Sequence, residues 1–415
     1  MNLIFAVVVA AILARMVVQF VLVKINLSYA AAQKNNLPEN LKGIVTPEAH
    51  ARSAEYTSEH CHLDALRILY GGAVKIGVIS CGIIPFVYNR TLALSGLDNI
   101  WAMSALIYLF GYAIGVLFWP FEWIGTFGIE QKYGFNRETI GLWIADEIKG
   151  FFLGAILSVP LIAVILWMSS GAIPYWWLWA FIVVMTYEIL LTIIYPNVIE
   201  PLFNKFEPLK DGPLKARLEA MALKAHINVK KILVMDASKR SAHANAYFAG
   251  LGVSRRIVLY DTLLKQLDDA EIEAVLAHEI GHMKHHHILK GMILSAMTQL
   301  VGFCLINLII NWSAFYQSFG LAIQGGHAGG FLLLSLVSGA FTFWLTPLIS
   351  RWYRGHEYQA DQHAKDLVGS PQPLVSGLKK MTKESLASIE DHPITHSFYA
   401  SHPTLKERED RLMIP

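Results

Sequence analysis

The sequence predicts a mainly α-helical, polytopic membrane protein that carries a small α/β metal-binding unit. Three observations predict it. Of the 415 residues, 54% are hydrophobic and only 16% charged, too apolar for an ordinary soluble enzyme of this length. Seven apolar runs approach the roughly 20 residues a helix needs to cross a bilayer. Between the fifth and sixth runs lies "LAHEIGHMKHHH" (276–287), which concentrates histidine and glutamate in a metal-ligating pattern.

The predicted spans are 3–23, 66–87, 101–119, 151–168, 176–195, 292–312 and 331–349. The first is long, contains Arg15 and lacks a small-x-small cleavage site, so it reads as a span rather than a signal peptide. "PYWWLW" (174–179) reads as an aromatic interfacial belt. Lysine and arginine gather in 24–62, in the loop after the third span, in 205–290 and beyond Arg351. Alternation puts all these segments on one side, which the positive-inside rule makes cytoplasmic, with the N-terminus outside and the C-terminus inside. Arg15, Lys75 and Glu188 fall within spans, where a charge faces protein or water rather than lipid. The net charge of +2, without a basic tract, points away from nucleic acid. Cys61, Cys81 and Cys304 are too few and too scattered for a disulfide framework or a cysteine zinc cluster. "HCH" (60–62) resembles a metal fragment, but side chains adjacent in sequence do not converge easily on one ion.

The run 268–287 reads as a helix, with Asp268 as N-cap and Glu271 in capping-box position. Residues four apart share a helix face, so His278 and His282 point the same way and Glu279 sits beside them. This is the H-E-x-x-H arrangement of two zinc ligands and a base. Gly281 at its centre permits close packing. His285, His286 and His287 read as interfacial or solvated bystanders, with His286 the most credible competitor because it extends the 278/282 face.

Upstream, "PLKARLEAMALKAHI" has helical periodicity, and "KKILVMDA", "NAYFAGLG" and "RRIVLYDTLL" read as strands, with Gly250 and Gly252 as turn residues. A strand beside a metal site can hold an extended peptide by β-augmentation. A catalytic zinc takes three protein ligands and keeps one position open. The third comes from elsewhere in the chain. After the last span, "SRWYRGHEYQADQHAKDL" places Glu357 and Asp361 four apart on a helix. One can bind metal while the other holds a ligand histidine. His356 and His363 compete, and periodicity does not choose among them.

"HEIGH", "EYQAD", "SKRSAHANAYFAGLGVSRRIVLYDTLL", "YPNVIEPLFNKFEPL", "IEQKYGFNRET" and "SHPTLKER" together resemble the type I CAAX prenyl endopeptidases, integral-membrane gluzincin metalloproteases. The resemblance runs from about the second span to the C-terminus. It implies seven transmembrane helices forming a barrel around a water-filled chamber, with a cytoplasmic α/β zinc metalloprotease domain closing one end. It implies His278, His282 and Glu357 as ligands of one Zn2+ per chain, Asp361 as the partner of a ligand, and Glu279 as catalytic base. His402 is similar to a histidine that stabilises the oxyanion, and Arg408 to an arginine that pairs with a ligand carboxylate. Asn245, Ala246 and Tyr247 resemble the edge segment that holds the substrate backbone. "SHPT" departs from the expected "SHPP" at Thr404, a change expected to matter little. Without the longer insertions and retention signals of eukaryotic members, the chain reads as a bacterial homologue in the inner membrane, its zinc site on the cytoplasmic side.

The expected organisation is 1–204 (five spans and their loops), 205–290 (metalloprotease region with the HEIGH helix), 291–350 (two spans) and 351–415 (completion of the zinc site). The expected activity is endoproteolysis near the C-terminus of a peptide or protein that is prenylated or otherwise hydrophobic, with membrane lipid as the other partner. A broad quality-control protease is the alternative within the class. A non-catalytic zinc protein or a transporter is the alternative outside it, but a structural site needs no base and closes with four protein ligands.

Overall fold

The computed structural model describes residues 2–37, 39, 42, 45–96, 99–227, 231–249, 256–322, 327–386 and 391–414. Gly250 and Gly252 lie outside the described residues. Among the described residues, five helices are long and apolar enough to cross a membrane: Leu3–Gln33, Ile140–Gly171, Trp176–Leu202, His287–Ile310 and Ala328–Val368. Two bent pairs raise the number to seven if each is one span: Pro47–Ser80 with Ile83–Ser95 at 53°, and Ile100–Val116 with Trp119–Tyr133 at 45°. The run expected as one span over 66–87 therefore contains a break, where Gly82 adopts φ 69°, a left-handed conformation open to glycine at no steric cost. Side-chain caps start several helices: Asn2 accepts from the Ile4 N–H at 3.1 Å, Asn99 from Ala102 at 3.0 Å and Thr139 from Leu142 at 3.2 Å.

These helices turn large apolar side chains outward, such as Leu3, Phe86, Ile156 and Leu348, and seal their interior around Ile84, Tyr88 and Tyr316. Arg15, Lys75 and Asp64 line a cavity of about 520 Å³ between the first two long helices and the Pro393–Tyr399 helix. Glu188 accepts a hydrogen bond from Gln299 on the neighbouring span at 2.6 Å.

Among the described residues, four short strands form one sheet in the order β1 (Phe206–Pro208), β2 (Lys231–Met235), β4 (Arg256–Tyr260), β3 (Ala246–Ala249). The β2–β4 pair is parallel and the other two pairs are antiparallel, so β3 is an edge strand. The Pro213–Lys224 helix and the motif helix Asp269–Lys284 share the sheet's apolar core, which includes Leu218, Ile257, Leu259, Leu276 and Ile280.

The motif helix opens on a complete capping box, with Asp268 accepting from the Glu271 N–H and Glu271 accepting from the Asp268 N–H. It stops at Lys284 instead of running into the next span. His286 adopts φ 55°, ψ 36°, and the span starts afresh at His287. The last membrane helix, by contrast, runs on without a large bend into the segment that bears Glu357, so the chain returns to the motif helix as one long arm.

Candidate active site

One close helix crossing assembles the site. A Cβ built on Gly281 would stand 2.8 Å from the Ala360 Cα and 3.0 Å from the Ala360 oxygen, so the motif helix and the Thr346–Val368 helix touch backbone to backbone. Ala360 is fully buried at this contact. Glu357 and Asp361 flank Ala360 on its own helix, so the crossing delivers both carboxylates to His278 and His282. A side chain at 281 would collide with that backbone.

The His278 Nε2 and His282 Nε2 atoms are 3.1 Å apart. The two Glu357 oxygens lie 3.4 Å from the first and 3.3 Å from the second. Tetrahedral donors about 2.0–2.1 Å from a zinc ion stand about 3.3 Å from each other, so this spacing fits a metal. The donor atoms of His278, His282 and Glu357 are the one such group among the described residues. The Glu357 Oε2 is buried and accepts no hydrogen bond, a state that a carboxylate oxygen tolerates poorly unless a cation meets it.

The partners behind the candidate ligands bear on their tautomers. His278 Nδ1 lies 2.8 Å from Asp361 Oδ1, which leaves Nε2 as the lone-pair nitrogen facing the site. Arg408 grips Asp361 with a two-pronged contact, Nε to Oδ2 at 2.9 Å and Nη2 to Oδ1 at 2.5 Å. Arg408 thus pairs with the carboxylate behind His278, not with the ligand carboxylate as expected. Thr404 N-caps the Leu405–Leu412 helix that carries Arg408, in a capping box with Glu407, so the residue expected to matter little anchors this helix.

Burial alone would push the His278 imidazole down, but the Asp361 and Glu357 carboxylates beside it raise it to about 9. Without a cation, the cluster therefore keeps a proton where a metal fits. Burial pushes the Glu279 carboxyl above its ordinary range, against the pull of His278 and His282. Glu279 makes no hydrogen bond or ion pair among the described residues, which leaves its carboxylate free to take a proton.

His402 reaches the open side of the cluster, with Nε2 3.5 Å from Glu357 Oε1, Nδ1 3.0 Å from the Ser401 hydroxyl, and a side chain 67% exposed. β3 packs near the motif helix. Its register pairs Tyr247 with Val258 and Ala246 with Leu259, and the Tyr260 N–H donates to the Asn245 oxygen at 3.0 Å. Antiparallel pairs alternate between bonded and non-bonded, so the main-chain groups of Ala246 and Phe248 face the open edge. The Asn245 side chain takes the Ala246 N–H at 2.8 Å. The Tyr247 hydroxyl donates to Glu200 at the end of the Trp176–Leu202 span, so this side chain is tied to that span and only its backbone belongs to the edge.

The other histidines separate. His356 and His363 stand outside the ligand group, His363 at the Gly281 crossing and His356 buried. His60 contacts Glu130, Cys61 is buried and His62 contacts the Ser58 oxygen, so "HCH" points three ways. His286 is exposed and off the ligand face, because the helix ends before it. His287 corrects the expectation of a bystander. It is buried, its Nδ1 is 2.9 Å from His282 Nδ1, and its Nε2 is 3.0 Å from Gln359 Oε1. An unbroken helix would put it about 140° around from His282. Only the left-handed turn at His286 folds it back, and helical periodicity carries no sign of that turn.

Two family models match the chain: "CAAX prenyl protease N-terminal, five membrane helices" over residues 27–205 and "Peptidase family M48" over residues 208–413. The chain is 33% identical to a CAAX prenyl protease 1 homolog of Oryza sativa subsp. japonica, over 92% of this chain and 91% of that one. It is 32% identical to CAAX prenyl protease 1 of Saccharomyces cerevisiae, over 92% and 89%, and 28% identical to the Homo sapiens homolog, over 90% and 88%. Among solved structures it is similar to the crystal structure of S. mikatae Ste24p, with a TM-score of 0.93, 29% identity and full coverage of both chains. These relatives are eukaryotic, so the expectation of a bacterial homologue is not borne out, and the lack of eukaryotic-type insertions was no guide to source.

Proposed function

The chain belongs to the CAAX prenyl protease family within peptidase family M48, and we propose that it cleaves near the C-terminus of prenylated CAAX-type proteins. It is an integral-membrane, multi-pass metalloendopeptidase. The coming together of His278, His282 and Glu357 beside the unpaired carboxylate of Glu279 carries this reading.

In this proposal the metal is one Zn2+, held by His278, His282 and Glu357. Two neutral imidazole nitrogens and one carboxylate suit that ion and leave a position open. When bound, the metal supplies Lewis acidity, acidifying water and polarising a peptide carbonyl. Glu279 takes a proton from the attacking water and delivers it to the leaving amine. His402 donates from Nε2 to the oxygen of the tetrahedral intermediate. Asp361 holds His278 in the ligating tautomer, and Arg408 holds Asp361. The substrate lies extended along β3, bonded to the Ala246 C=O and to the Phe248 N–H and C=O, with Asn245 holding the Ala246 N–H and Tyr247 anchoring that edge.

The proposed sidedness places the site on the cytoplasmic face, on the strength of the basic loops. The proposed organisation keeps the regions 1–204, 205–290, 291–350 and 351–415, with the spans arranged as a barrel. The cavity lined by Arg15 and Lys75 supports a polar chamber inside it.

The test is hydrolysis of a farnesylated CAAX peptide beside the same peptide without the lipid, by the purified chain and its Glu279→Gln variant. Release of the C-terminal residues from the farnesylated peptide alone, lost in the variant, is the expected result. Equal cleavage of both peptides makes the enzyme a broad membrane protease. No cleavage of either, with metal bound, overturns the reading.

A further inference from the structure

We propose that His287 is a positioning residue for the metal site, acting as the hydrogen-bond acceptor that holds His282 in its ligating tautomer. The proposal rests on reading His282 as a metal ligand. His282 can offer Nε2 to a metal only if its proton sits on Nδ1. Among the described residues, the side-chain atom within hydrogen-bond distance of that nitrogen is His287 Nδ1, at 2.9 Å. Two imidazole nitrogens can share a hydrogen bond only if one carries the proton. The other end of His287 decides which one. Its Nε2 stands 3.0 Å from the Gln359 amide oxygen, an acceptor, so Nε2 holds the His287 proton and Nδ1 holds a lone pair. The protons then run in one direction, from His282 to His287 to Gln359.

The neighbours fix this ring in place. His287 is buried and stacks on His356 with centroids 4.0 Å apart and planes 4° from parallel, while Trp352 closes on the far ring at 4.0 Å. The chain accepts a non-glycine left-handed residue at His286, a strained conformation, to put the ring there. The two ligand histidines are therefore supported differently. His278 leans on a carboxylate that Arg408 neutralises, and His282 on a neutral imidazole. A second carboxylate behind His282 would add negative charge to a pocket that already holds Glu279, Glu357 and Asp361.

The experiment measures zinc affinity of the full chain in detergent by chelator competition, with thermal unfolding of the metal-free proteins as a check on folding. His282→Ala is expected to lose the metal. His287→Ala is expected to weaken it about 10–100-fold, the usual cost of removing such a partner. In His287→Asn the amide oxygen replaces Nδ1 as acceptor, and affinity is expected to return to within about three-fold of native. Gln359→Met keeps the ring but frees its tautomer, and is expected to weaken zinc by several-fold while leaving the unfolding midpoint in place. Native affinity in His287→Ala overturns the proposal. Equal loss in the Ala and Asn variants also overturns it, because the ring would then act only by packing. If His282→Ala itself keeps the metal, the ligand reading fails instead.

Discussion

The membrane helices and the metal-site unit solve the burial problem in opposite ways. In the metal-site unit, apolar side chains such as Leu218, Ile257 and Leu276 turn inward and are almost wholly removed from solvent. In the membrane helices, apolar residues such as Ile156, Leu308 and Leu348 stay more than half exposed. Polar residues such as Arg15 and Lys75 turn toward an internal cavity there. One chain thus reads two solvents. Where water surrounds the fold, burying apolar surface drives packing. Where lipid surrounds it, burial gains little, and close approach of small residues and polar contacts decides. The site stands between the two regimes. The residues proposed to hold the metal sit on an arm that begins as a membrane span, Ala328–Val368, and on a helix with a water-type core.

Substitutions can sharpen or break this contrast. The largest effect is expected at Glu279, where Glu279→Gln keeps the metal and the fold but lowers kcat about 10²–10⁴-fold, since an amide accepts no proton. Near-native turnover by a zinc-loaded variant would remove Glu279 from its role. Next is His402→Ala, expected to lower kcat by about 10²–10³ while KM changes less, as for a donor that strengthens in the transition state. A loss confined to KM would make His402 a substrate-binding group.

The comparison between the regions is tested directly by a pair of truncations. Leu276→Ala should cost about 2–5 kcal/mol in unfolding measurements, as for any large-to-small change in a packed core. Leu308→Ala, on the outer face of a span, should stay within about 0.5 kcal/mol in the same detergent. Similar costs at both positions would show that Leu308 packs against protein.

The metal-free His278 holds its proton up to about pH 9, so a metal must displace that proton at neutral pH. Apparent zinc affinity should therefore rise with pH and fall about ten-fold for each unit below that value, as chelator competition between pH 6 and 9 would show. A flat profile would mean that Asp361 and Glu357 do not raise His278. The smallest effect is expected at His286→Gly, which removes the left-handed strain and should stabilise the chain by roughly 1 kcal/mol with zinc affinity unchanged. Destabilisation would assign the exposed imidazole a contact of its own.

Local spacing made much of the candidate site legible in the sequence. The i, i+4 interval puts His278 and His282 on one face, and Glu357 and Asp361 on another, because a single helix fixes that geometry without help. The capping box at Asp268 and Glu271 is local for the same reason. The apolar runs announced the spans because a bilayer imposes a minimum length. Other features depend on contacts between distant segments, and only the tertiary structure decided them. Periodicity left Glu357, His356 and His363 open as third ligand. The Gly281–Ala360 crossing sets which of them meets the histidines, and no rule of spacing within one helix describes a contact between two. Arg408 pairs with Asp361 because a helix near the C-terminus docks there. His287 passed for a bystander because one residue's dihedral angle, His286 in the left-handed region, breaks the helix between it and His282. Histidine visits that region more often than most non-glycine residues but still as a minority conformation, so the packing on either side selects it here.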